Sequence, residues 1–322
     1  MEKINISDLK TKVSSLAIDY FLVSSSFEER CLSISKELKD LDCKKIIFYN
    51  SNELESIIKN SISLEQLFAK NAQRIKLDTD DPVFNYISIY TIINQIIEES
   101  SDAKPNIFID ITTFTHETLL VLVRLLNFHK VDLGKIYISY TGAKEYSIKE
   151  KLDEDKWLSK GIKDIRTVIG YPGFSDPTRE NHLLILFGFE SDRTKRLIDE
   201  FEFDNITLGF ATKENSIQAN HQCINSERHK KLVTEYDADT FEFSLIDVDT
   251  VKNGILKYLE TDKYKEMNTV IAPMNNKIST IGAGLAAIQN ENIQITYARA
   301  NIYNIAGYSM PNDDVYLCEL KV

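Results

Sequence analysis

The chain is poor in the residues that punctuate or crosslink a fold. Its 322 residues include 11 glycines, 6 prolines, 4 cysteines and 1 tryptophan. So little glycine and proline excludes a collagen-like or low-complexity chain. Cys31, Cys43, Cys223 and Cys318 show no C-x-x-C spacing, which excludes a disulfide scaffold and points to reduced thiols in a cytoplasmic protein. His221, Cys223 and His229 are irregularly spaced and lack a fourth ligand, so no metal is expected. No apolar run approaches the roughly 20 residues that cross a bilayer, and Met1–Lys10 has no apolar core of a signal peptide. Basic residues are also short: 38 Lys and Arg stand against 49 Asp and Glu, a net charge of −11. That excludes general duplex-DNA binding but leaves room for a small anion held at a helix N-terminus. G-x-G-x-x-G, the P-loop and G-x-S-x-G are all missing, so no dinucleotide cofactor is expected.

What the chain has is alternation. Tyr20–Ser24, Lys45–Tyr49, Arg74–Leu77, Ile107–Asp110 and Lys135–Tyr140 are short apolar strands. Between them run helical stretches at Leu32–Leu41, Leu54–Ala69, Pro82–Ile97 and from near Thr112 onward. A βαβα order of this kind predicts a parallel sheet covered by helices. The plan then repeats. Phe27-Glu28 returns as Phe189-Glu190 and Asn106–Asp110 as Asn268–Ala272, both at an offset of 162 (189 − 27, 268 − 106). Tyr140 and Tyr146 return as Tyr297 and Tyr303 at 157 (297 − 140). The fold expected is α/β: two tandem Rossmann-like halves from an internal duplication, residues 1–175 and 176–322. Trp157–Gly173 reads as a closing segment of the first half, followed by a linker, and Lys149–Lys156 as a solvated helical face.

In open parallel sheets ligands bind beyond the carboxyl ends of the strands. In the first half those ends carry Ser26, Glu28, Arg30, Asp110, Thr112, Thr113, Thr115, His116, Tyr140 and Tyr146. In the second they carry Glu190, Arg193, Asn275, Asn276, Lys277, Ser279, Thr280, Tyr297 and Tyr303. Glu28 and Arg30 pair a carboxylate with a guanidinium, chemistry suited to ribose hydroxyls and phosphate, and also to a surface ion pair. Asn275–Thr280 with Lys277 precedes Gly282 and Gly284, a helix start suited to phosphate or to tight helix packing. Asp110, Thr113 and Thr115 can serve as helix caps, and the four tyrosines can stack on bases or fill strands.

Asp110-x-Thr112-x-x-x-His116 resembles the strand-four turn of CARF-type Rossmann sensors of bacterial defence systems. That turn carries Asp or Asn, then Ser or Thr, then a basic residue at the place of His116. The resemblance implies a cytoplasmic nucleotide sensor, with cyclic oligonucleotides among its ligands, held in a cleft between pseudo-symmetric halves. No separate effector domain is evident, so the sensor would act through a partner protein. An enzyme cleaving a phosphodiester or glycosidic bond, and a scaffold without a small ligand, are the other two readings.

Overall fold

In the computed structural model, residues 1–50, 54–69, 72–100 and 103–322 are described. In chain order these form β1 (Glu2–Asn5), α1 (Leu9–Ser14), β2 (Tyr20–Ser24), α2 (Ser33–Glu37), β3 (Lys44–Asn50), α3 (Glu55–Phe68) and β4 (Ala72–Leu77). Then come α4 (Pro82–Glu99), β5 (Ile107–Asp110), α5 (His116–Phe128), β6 (Ile136–Tyr146), β7 (Ser159–Pro172), β8 (Asn181–Leu186), α6 (Ser191–Glu200) and β9 (Asn205–Phe210). The chain ends with α7 (Ala219–Tyr236), β10 (Asp239–Glu242), α8 (Val248–Leu259), β11 (Asn268–Pro273), α9 (Lys277–Gln289), β12 (Gln294–Tyr303) and β13 (Ser309–Glu319).

Two compact units result, residues 1–144 with 310–322, and residues 145–309. The first contains a sheet of order β1-β13-β6-β5-β2-β3-β4, in which β6 through β4 are parallel. The second contains a sheet of order β10-β9-β8-β11-β12-β7, parallel from β10 to β12 with β7 antiparallel at its edge. The fold is therefore α/β, with two parallel-dominated, helix-flanked sheets of matching strand order. The repeat extends to register: Tyr20 sits opposite Ile107 and His182 opposite Thr269, each pair 162 apart from its counterpart. Ile109 opposite Ile138 and Ile271 opposite Ile295 reproduce both offsets at once.

Local chemistry explains the elements. Asp81 caps α4 by accepting from the Phe84 N–H, and Pro82 occupies its first turn, where a missing N–H costs nothing. Thr115 and Asn276 cap α5 and α9 in the same way. Phe21, Phe68 and Phe108 meet edge-on in the first core, with centroids 5.7 and 5.5 Å apart. Leu183, Ile185, Phe187 and Leu208 anchor the second.

The structure departs from expectation at the edges. Trp157–Gly173 is not a closing segment of the first unit: Ser159–Pro172 is β7, paired with β12 in the second sheet. The C-terminal strand β13 lies in the first sheet, against β1. The division thus falls at residue 144 and again at 309, not at 175. Each sheet takes its last strand from beyond its own alternating segment, and such long-range pairing leaves no local pattern. Lys149–Lys156 forms turns and no helix, and the helix expected through Leu41 ends at Glu37.

Helices α8 and α9 touch at Gly282, where an added Cβ would lie 2.5 Å from Val251 Cβ and 3.0 Å from the Val248 carbonyl. Gly254, also helical, would meet nothing nearer than 3.5 Å. Gly282→Ala is therefore expected to cost about 1–3 kcal/mol through overpacking. Gly254→Ala should be neutral or gain about 0.5–1 kcal/mol through helix propensity. Urea unfolding of the two variants reads the contrast; equal effects would refute the close approach.

Candidate functional site

In the first sheet the connections from β2 run one way to β3 and β4 and the other way to β5 and β6. The point of reversal, between β2 and β5, is where an open parallel sheet leaves a crevice at its carboxyl edge. Ser24–Ser26 and Asp110–Thr113 line it, all of them buried. Ser24 accepts from the Thr113 hydroxyl at 2.7 Å, tying the two strand ends together. Ser25 donates to the Ile57 carbonyl at 3.1 Å, and Asn60 donates to the Ser26 carbonyl at 2.7 Å.

Arg30 spans these ends. Its Nε and Nη2 donate to Glu28 Oε2 at 2.9 and 2.7 Å, and its Nη1 donates to the Thr141 carbonyl on β6 at 2.9 Å. The pair is almost wholly buried, so each charge depends on the other and on these bonds. Asp110 is 0 % exposed. Its Oδ1 accepts from the Thr112 N–H at 3.0 Å, while its Oδ2 has no hydrogen-bond partner. Burial pushes its carboxyl up to about 6, against the pull of Thr112 and Arg30. Thr112 Oγ1 accepts from the Thr141 N–H at 3.0 Å, and the Thr141 hydroxyl is a second buried group without a partner. Thr115 is occupied in capping α5, and His116, half-buried, is the first residue of that helix.

The second unit repeats the frame and fills it. Arg193 donates to the Ala298 carbonyl, the counterpart of Thr141 at the 157 offset, and to Ser159 Oγ at 3.0 Å. Glu190 accepts from the N–H groups of Leu158 and Ser159 at 3.1 and 2.7 Å, and burial raises its pKa. Ala272 and Met274 stand where the first unit has Asp110 and Thr112. An added Cβ on Gly188 would lie 2.5 Å from the Met274 carbonyl, so backbone closes this crevice. Asn275 donates to the Phe187 carbonyl at 2.5 Å and Asn276 to the Leu245 carbonyl at 2.7 Å. Ser279 and Thr280 donate back to the Asn276 carbonyl, both at 2.9 Å, and Lys277 begins α9, half-buried.

Tyr140 and Tyr297 are buried in their strands. Tyr146 and Tyr303 fall together in the second unit, 6.3 and 6.4 Å from the ring of Tyr308. His221 accepts from the Tyr146 N–H at 3.2 Å, and His229 Nε2 lies 2.9 Å from the Leu208 carbonyl. Among the described residues no group of three or more His, Cys, Asp or Glu could hold a metal, and no helix is long and apolar enough to cross a membrane. Sequence reasoning missed Thr141, Asn60 and Arg228. Arg228 donates to the Phe189, Asp153 and Lys156 carbonyls and covers the Phe189 ring at 4.5 Å. Thr141 directly follows Tyr140 in the sequence, but its role depends on Thr112, far off in the chain. Asn60 and Arg228 sit mid-helix with no local mark. A cavity of about 250 Å³ opens elsewhere in the first unit, beside Lys10, Ala17, Ile18 and Asp42, next to the amino ends of β2 and β3.

An acid whose folded pKa is raised favours folding while it is protonated. That contribution is complete below the unfolded value near 4 and is lost as pH rises through about 6. Asp110→Asn keeps the acceptor for Thr112 and removes the charge. Its stability relative to wild type should rise by roughly 2–3 kcal/mol between pH 4 and pH 7. Urea unfolding across that range measures the slope; a pH-independent difference would mean that Asp110 ionises normally.

No family model and no curated protein matches the chain. Among solved structures it is similar to a putative universal stress protein from Pseudomonas aeruginosa UCBPP-PA14, with 11% identity and a TM-score of 0.25 over 88% of this chain and 94% of that one. A functionally unknown protein from Pseudomonas aeruginosa PAO1 gives 11% identity and a TM-score of 0.24 over the same shares.

Proposed function

We propose that the first unit binds a nucleotide-type small molecule at the reversal point between β2 and β5, and that the protein works as a sensor through a protein partner. The observation that carries this is Asp110 Oδ2, a fully buried acceptor without a partner at the one place where this sheet type receives ligands. Thr141 Oγ1 adds a second open polar group. Arg30 is already neutralised by Glu28 and bonded to Thr141, so the ligand is read chiefly through its own N–H or O–H donors. Ribose hydroxyls and exocyclic amines carry such donors. The second unit, whose crevice is closed at Gly188, serves as scaffold. The likeness of Asp110-x-Thr112 to the CARF-type turn is what attaches this reading to bacterial defence. Cleavage of the ligand is the second reading, favoured by one feature: an acid at about 6 is poised for proton transfer near neutral pH.

Thermal unfolding in the presence of mono-, di- and cyclic oligonucleotides, with the nucleotides recovered and chromatographed, separates the readings. A ligand at 100 times its Kd should stabilise the wild type by about 2.7 kcal/mol. Asp110→Asn and Thr141→Val should abolish the shift while unfolding cooperatively on their own. Intact ligand supports the sensor and consumed ligand the enzyme. No shift with any nucleotide would remove both.

A further inference from the structure

Helix α4 buries Ile89, Ile92, Ile93 and Ile96 against its own sheet. Its opposite face is apolar as well: Val83 is 56 % exposed and Ile87 55 %, with Phe84 and Tyr90 between and beyond them. Spacings of three and four residues place all four along one stripe. The stripe continues past the end of α5. Tyr90 lies 5.7 Å from the His129 ring, which meets Phe128 edge-on at 4.9 Å. Phe128 is 71 % exposed and Val131 65 %. These side chains together expose on the order of 500 Å² of apolar surface, near the upper end of what a monomer's largest patch carries.

The duplication supplies an internal comparison. Helix α8 holds the same place in the second unit, between the third and fourth parallel strands in chain order. Its inward residues Val248, Val251, Ile255 and Leu259 match those of α4, but its outer face is Asp249, Thr250, Asn253 and Lys257. One fold position thus carries a solvated face in one copy and a bare apolar stripe in the other. The fold itself does not require the stripe.

We propose that the α4 stripe docks an amphipathic helix of another protein whose apolar face is flanked by basic residues. Charge decides the occupant. Helix α4 contains no Lys or Arg, and exposed acids stand at both ends, Asp80 and Asp81 before it and Glu98 within its last turn. Two copies of this chain packed stripe to stripe would set acid against acid whether the helices ran parallel or antiparallel. Each copy also carries a net charge of −11. A basic helix meets the same surface with matching apolar spacing and opposite charge. The inference is independent of whether the crevice binds a nucleotide.

The test uses the full chain and two synthetic helices with one leucine stripe, one flanked by lysines and its twin by glutamates. Fluorescence anisotropy should give the lysine form at least about tenfold tighter binding than its twin. Ile87→Asp and Phe84→Ser should each weaken it by about tenfold or more, with helical circular dichroism unchanged. Asn253→Asp, on the equivalent face of α8, should leave it as in wild type. No binding of the lysine helix, equal binding of the twins, or binding that both α4 substitutions leave intact would each overturn the proposal. Sedimentation of the wild type as a dimer that Ile87→Asp dissociates would overturn it in favour of a second copy.

Discussion

An arginine bridges the strand ends of each unit, buried in the case of Arg30 and half-buried in that of Arg193. Arg30 and Arg193 each start from the segment after the first parallel strand and reach the backbone carbonyl of the strand two places away, Thr141 or Ala298. A guanidinium removed from water is tolerated when its donors are filled, as Nε, Nη1 and Nη2 of Arg30 are, while Arg193 keeps a buried Nε without a partner; both bridges link strands that do not touch. Glu28 supplies the countercharge directly to Arg30. Glu190 acts differently, attracting Arg193 while its oxygen accepts the N–H groups that open β7. In the first unit the bridge ties the strand ends together and consumes the cation. Whatever binds above it meets acceptors and hydroxyls more than positive charge.

The two copies show what the bridge alone does and what is added to it. Where β5 ends in Asp110, β11 has Ala272 in the same register. Ser26 in one unit corresponds to Gly188 in the other, and that exchange lets backbone fill the space that side chains line in the first. A buried carboxylate with an open oxygen destabilises the unit that contains it. The copy without it keeps the strand order and register, so the fold does not need Asp110.

Much of this was legible in the sequence. The alternation of strands and helices gave the α/β class, and the offsets of 162 and 157 recur as strand register because a slipped pair would turn every buried side chain outward. Glu28 and Arg30 could be placed at a strand end, and Glu190 and Arg193 at the matching end, because their spacing from the strand is local; of the four, only Glu28 and Arg30 form an ion pair. The exchange of β7 and β13 was not readable: two edge strands of similar pattern carry no mark of which sheet they join. Thr141 escaped because its importance comes from a neighbour, Thr112, 29 residues earlier. The apolar periodicity of α4 announced a helix, but with isoleucines on several sides it could not say which face the sheet would cover.

The asymmetries of the two units fall on the same side. The first has the wholly buried carboxylate at the end of β5 and the bare helical stripe; the second has Ala272 and the close approach of Gly188 at the matching strand ends, and the polar helix. Buried polar atoms without partners occur in both units, Ser191 Oγ and Arg193 Nε among those of the second, so what distinguishes the first is the residue at the end of β5 and the face of α4. In the first unit α4 leads directly into β5, the strand that ends in Asp110. The proposed ligand site at the end of β5 and the proposed docking face on α4 thus belong to consecutive elements of one βαβ unit.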